Sequence, residues 1–99
     1  MVKMVIEKAT AKNKKFKAIF FDDQGKKLKT VQFGSAGMSD FTIHKDKERR
    51  ARYRKRHKKD LDTKDFKRAG YLSYYILWGD SSDLQTAIKD YKSRFKLKP

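Results

Sequence analysis

The densest chemistry in this chain is a run of cations: Arg49-Arg50-Ala51-Arg52-Tyr53-Arg54-Lys55-Arg56-His57-Lys58-Lys59. Arginine presents a rigid fork of donors that matches phosphate, and lysine a mobile point charge. With Lys45 and Lys47 just upstream, residues 44–59 hold ten Lys or Arg against Asp46 and Glu48, a net +8 of the chain's +15. Lys45, Lys47, Arg49, Arg50, Arg52, Arg54, Lys55, Arg56, His57, Lys58 and Lys59 are therefore the candidate contacts for a polyanion. About six such contacts on duplex DNA would give a log–log salt slope near −5. A solvated charged helix, or a nuclear localisation signal, is the plainer explanation of the same residues.

Little else in the chain could carry a reaction. Asp40, His44 and Asp46 lie close in sequence, but carboxylates at a loop-to-helix entry ordinarily cap helices and form turns. No nucleophile–base pair, Gly-rich phosphate loop or zinc-ligand spacing stands out. Neither catalysis, nor a metal, nor a cofactor, nor a small-molecule ligand is expected. Tyr53 could stack on a base, as aromatics do on single strands, but the reading favoured is that it pins the basic segment to the core. Tyr71, Tyr74, Tyr75 and Trp78, at helical spacing, are likewise expected in the core.

These residues need elements to hold them. Between Lys45 and Lys59 there is neither Gly nor Pro, and Lys and Arg are good helix formers. Asp46 and Glu48 at its start and Lys58 and Lys59 at its end suit the helix dipole. The spacing predicts a helix over 44–59. Only Ala51 and Tyr53 are apolar there, about 200° apart around the axis, so the helix should project as a basic ridge. Upstream, Val2, Met4 and Ile6 alternate as in a strand. Phe16 to Phe21 and Leu28 to Phe33 form two more strands, joined by a turn at Asp22 to Lys26. Gly34 to Asp40 reads as a loop, with Phe41 and Ile43 anchoring the chain beyond it. Downstream, Tyr71 to Trp78 reads as a short aromatic helix ending at Gly79. Ser82 and Gln85 are spaced as a capping box. Leu84, Ala87, Ile88, Tyr91 and Phe95 make an amphipathic stripe up to Pro99.

The expected architecture is α+β, one domain over 1–99. A three-stranded antiparallel sheet occupies 1–33, the basic helix 44–59, and the aromatic and amphipathic helices 70–97. The chain has 37% hydrophobic and 39% charged residues, enough apolar matter for a modest core only. A charge of +15 opposes compaction through self-repulsion and calls for an anionic partner. There is no cysteine, hence no disulfide or thiolate site. The start has no apolar signal core, its second residue is Val2, and no window suggests a membrane span, so a chain that is not secreted is expected.

The stretch Gly34 to Lys59 resembles a family of small proteins from nucleocytoplasmic large DNA viruses. The likeness is carried above all by Asp40-Phe41-Thr42-Ile43-His44-Lys45-Asp46-Lys47-Glu48-Arg49-Arg50 with Tyr53 and Arg56-His57. Ala69-Gly70 to Leu77-Trp78, followed by Leu84, Ile88 and Arg94-Phe95, is similar to that family's second block. Members often carry Pro-Thr after the Trp, where this chain has Gly79-Asp80-Ser81-Ser82. The resemblance implies a viral protein, in the virion or in the infected host cell's cytoplasm or nucleus, and brings no settled activity. Together these readings point to sequence-nonspecific binding of nucleic acid, double-stranded DNA favoured, in genome packaging or condensation. The rival is an interaction protein whose basic helix docks on acidic viral or host surfaces, with the aromatic helix as a homo-oligomer interface.

Overall fold

The computed structural model describes residues 1–99 as a three-stranded sheet followed by helices, an α+β fold. Strands β1 (Lys3–Lys8), β2 (Lys14–Phe21) and β3 (Lys27–Ser35) form an antiparallel meander in the order β1-β2-β3. Alternation decides which face is buried. Met4 pairs with Phe20, Ala18 with Val31 and Phe16 with Phe33, and Met4, Ala18, Phe20 and Phe33 are all buried. The lysines between them point away from the core. At the β2–β3 turn the Asp22 carboxylate accepts from the N–H groups of Gln24 and Lys26, each at 2.9 Å.

Strand β3 runs two residues past its expected end, because Gly34 adopts φ +79° and lets the backbone close on the next layer. A Cβ at Gly34 would stand 2.8 Å from Leu77 Cδ1 and 3.2 Å from Lys15 Cβ. The chain then enters α1 (Phe41–His44), a single turn capped by Asp40. Phe41 is buried as expected, but Ile43 is 62% exposed and anchors nothing.

The second layer comes from the C-terminal third. Helix α3 (Ala69–Leu72) runs straight into a π turn, Ser73–Leu77, in which the Trp78 N–H reaches back to Ser73 O at 3.0 Å. The extra residue per turn widens the helix. Gly79 follows, and only a glycine fits there: a Cβ would lie 2.1 Å from Tyr75 O. Helix α4 (Leu84–Arg94) begins one residue later than the Ser82 capping box predicts. Its cap is Asp83, whose carboxylate accepts from the Thr86 N–H at 3.0 Å and hydroxyl at 2.6 Å, a stronger acceptor than the Ser82 hydroxyl. That helix stops at Arg94, short of Pro99, and the Lys98 N–H donates to Val2 O at 2.8 Å, tying the tail to the residue just before β1.

One core results. Met4, Phe20 and Phe33 from the sheet meet Tyr71, Leu72, Ile76 and Leu77 from the aromatic segment and Ala87 and Tyr91 from α4. Phe66, in the connection, packs edge-on to Phe20 and stacked on Phe95. The buried hydroxyls find carbonyls: Tyr71 donates to Leu61 O at 2.7 Å and Tyr91 to Phe66 O. No helix is long and apolar enough to cross a membrane.

Candidate nucleic-acid interface

The basic segment is a shorter helix than expected. Helix α2 spans Lys47–His57, and Lys58–Thr63 tightens into a 3-10 turn. Lys45 is not helical: at φ +58° it is the left-handed joint between α1 and α2. The reason is two competing caps. Asp40 starts one helix by accepting from the Thr42 N–H at 2.9 Å. Asp46 starts the other, accepting from the N–H groups of Glu48 and Arg49 at 3.0 and 3.2 Å. Those bonds, the Arg49 N–H foremost, hold the Asp46 carboxyl below its usual range. His44 Nδ1 accepts from the Asp46 N–H at 2.8 Å. Asp40 also holds Lys15 and the Thr42 hydroxyl and is 2% exposed. Asp40, His44 and Asp46 thus each have a local job at this entry.

At about 100° per residue, the side chains of α2 sort into three stripes. The first faces the protein and contains Arg50, Tyr53, Arg54 and His57, all half-buried. Tyr53 lies parallel to Trp78 with centroids 4.4 Å apart and planes 8° apart, and His57 stacks on Tyr53 at 4.2 Å. Tyr53 therefore pins the helix, and burial raises its phenol pKa. Arg54 donates from Nε to Trp78 O at 2.8 Å and from Nη2 to Asp80 at 2.9 Å. Arg50 donates to the carbonyls of Gly79 and Asp80, each at 3.3 Å, and sits over the Phe41 ring at 4.5 Å. These two arginines satisfy carbonyls at the C-terminal end of the aromatic segment, where a cation also suits the helix dipole. The Arg54 hydrogen bond is the main reason that the Asp80 carboxyl titrates below its ordinary value.

The second stripe, Arg49, Arg52 and Arg56, faces a groove between α2 and the end of the sheet. The third, Lys47 and Lys55, points outward, with Lys58 and Lys59 continuing beyond the helix. Instead of projecting as an independent ridge, α2 lies along the aromatic segment through its first stripe. Of the predicted contacts, Lys45, Lys47, Arg49, Arg52, Lys55, Arg56, Lys58 and Lys59 are exposed, and none makes an ion pair with a carboxylate. Arg50, Arg54 and His57 turn inward, His57 Nδ1 meeting Asp60 Oδ2 at 3.1 Å. That inward stripe was readable as positions 50, 53, 54 and 57, a helical face of long side chains with apolar stems.

The groove has a far wall that lies outside the basic run. Lys14 and Lys15, at the start of β2, join Arg49, Arg52 and Arg56 around a cavity of about 540 Å³ that Phe33, Leu77 and Trp78 also line. Lys14 and Lys15 lie more than thirty positions upstream of Arg49, where the basic run begins. Pairing of Lys14 with Ser35 brings them to the site, and no local pattern signals it.

Comparison with known families places the chain at this point. It belongs to DUF5754, a family of unknown function whose model matches residues 4–57. The DUF5754 span takes in all of the sheet but Lys3, together with Asp40, both capped helix starts and α2 to its last residue. It stops before the aromatic segment on which α2 rests. No curated protein matches the chain, and no solved structure does.

Proposed function

We propose that this protein binds nucleic acid without regard to sequence, double-stranded DNA being the favoured form, through contacts to phosphates. One observation carries the reading: eight cations between Lys45 and Lys59 stand exposed with no carboxylate partner. Such a cluster repels itself, and a phosphate backbone would relieve that repulsion while releasing counterions. Two features of the fold favour a fixed surface over a loose tail. Tyr53, Arg50 and Arg54 hold α2 in one orientation, so little side-chain or backbone order need be lost on binding. The free groups include four lysines on the outward side, Lys47, Lys55, Lys58 and Lys59, suited to positioning on phosphates more than to reading base edges. The resemblance to small proteins of large DNA viruses supplies a setting, in which many copies would neutralise a genome for packaging in the virion.

The test is a gel-shift titration of duplex DNA over a range of salt, with single strands, RNA and an acidic protein as competitors. Duplex binding with a slope of about −4 to −6 is expected for five or six phosphate contacts. Binding only to the acidic protein would overturn the reading in favour of a docking role.

A further inference from the structure

The groove described above has properties that the outward face of α2 lacks. It carries cations on both walls. Lys15 is neutralised by Asp40, and Asp60 is engaged by His57. Lys14, Arg49, Arg52 and Arg56 remain, and none of the four is paired with a carboxylate. The three arginines stand at i, i+3 and i+7, so they rise in steps of about 4.5 and 6 Å along one side. A row of guanidinium forks at that pitch suits successive phosphates, each fork able to bind one in a bidentate way. A cavity of about 540 Å³ lies within the range of sites that enclose a ligand.

The aromatic lining decides what that ligand is. Bases stack on open ring faces. Here Tyr53 is sandwiched between Trp78 and His57, Trp78 is flanked by Tyr53 and His44 at 5.3 Å, and Phe33 is wholly buried. The rings form a rigid wall with no platform for a base. We propose that this groove is a backbone channel, holding consecutive phosphates of one strand between Lys14 and the Arg49, Arg52, Arg56 row, with the bases outside. The channel rests on the polyanion reading and sharpens it: a single phosphate chain, not a duplex groove, is the unit recognised there. The outward lysines then serve the rest of the polyanion.

The experiment titrates the wild-type protein with a thymidylate oligomer, an abasic oligomer of equal length and inorganic tripolyphosphate. Trp78, the chain's one tryptophan, reports binding by fluorescence, and the amide resonances of Gly34, Ser35, Gly70 and Ser73 report its place. The two oligomers should bind alike, with a salt slope of about −3 for four single-strand contacts. Affinity should fall about tenfold or more in K14E and in R52E, the loss of a charge-assisted contact in each. A triple variant K55E/K58E/K59E should keep tripolyphosphate binding. Dependence on the bases overturns the channel. So does an oligomer that leaves the groove amides unmoved in the wild type, whether or not the variants fold. Binding lost only in the triple variant overturns the channel but leaves the polyanion reading intact. Tripolyphosphate held in the groove without affinity for any nucleic acid overturns both, and leaves a site for small phosphate anions.

Discussion

Two helical segments of nearly equal length do opposite things in this molecule. Ala69–Leu77 places Tyr71, Leu72, Ile76 and Leu77 in the core, whereas Lys47–His57 has no fully buried residue. The first is held by apolar area removed from water. The second is held by one stacked tyrosine and two arginines that grip the first segment's carbonyl end. Stability and charge are therefore kept on different elements and joined at a single seam. The difference teaches that α2 is a surface fixture of the core, not a part of it. Changes to the aromatic segment should unfold the protein, and changes to the outer face of α2 should leave it folded.

The strongest way to break that division is inside the aromatic segment. Leu72 is fully buried among Met4, Phe20 and Ile76 in the core cluster. Leu72→Ala should cost about 2–5 kcal/mol, through lost transfer energy and a residual cavity. For a domain this small, that is a large share of the total. Chemical denaturation should show a much lower midpoint, and nucleic-acid binding should weaken only as the folded fraction falls. Gly79→Ala comes next, at about 3 kcal/mol, because the methyl group would meet Tyr75 O. That variant should also disturb the π turn and hence the Trp78 emission.

The seam itself is tested by Arg54→Ala. It leaves the Trp78 carbonyl without its 2.8 Å donor and should cost about 1–2 kcal/mol. The salt slope for DNA should barely change, since Arg54 faces inward. If the slope falls instead by a full contact, the division into stripes is wrong. The same seam has a pH signature. Asp80 is held below its ordinary value of 3.8, chiefly by the Arg54 hydrogen bond. A carboxyl lowered in the folded state contributes fully above its unfolded value and loses that contribution as pH falls through the folded one. Acid titration of the wild type should therefore lose part of its stability below about pH 4, and Arg54→Ala should flatten that loss. The effect is small, because Asp80's side chain is 73% exposed.

How much of this could be read from the sequence follows the range of the interactions. The strands were legible because Phe16, Ala18 and Phe20 alternate locally, and the α4 stripe because Ala87 and Tyr91 recur at helical spacing. The entry to α2 was not, because Asp40 and Asp46 are both good caps and composition cannot say that the chain breaks at Lys45 between them. Ile43 looked like an anchor by type alone, and tertiary packing left it in solvent. At the site, the run of cations named the right helix but not its orientation. Only the carbonyls of Trp78, Gly79 and Asp80, some thirty residues on, decide that Arg50 and Arg54 turn inward. Lys14 was invisible for the same reason, since sheet register brings it to the groove.

The outer face of α2 should respond in the opposite sense to the core. Lys55, Lys58 and Lys59 are exposed and touch no carboxylate. Neutralising all three, as Lys55→Gln, Lys58→Gln and Lys59→Gln, removes no buried group. It relieves like-charge repulsion among residues three and four apart, such as Lys55 with Lys58 and with Lys59. Denaturation midpoints should stay within about 0.5 kcal/mol of the wild type, with any shift toward greater stability. Duplex affinity should fall, and the log–log salt slope should become shallower by about 3, one unit for each lost phosphate contact. The two readouts together are decisive, because a residue that mattered to both would belong to the seam. Lower stability with unchanged affinity would mean that these lysines pack against the protein and that the free charge lies elsewhere.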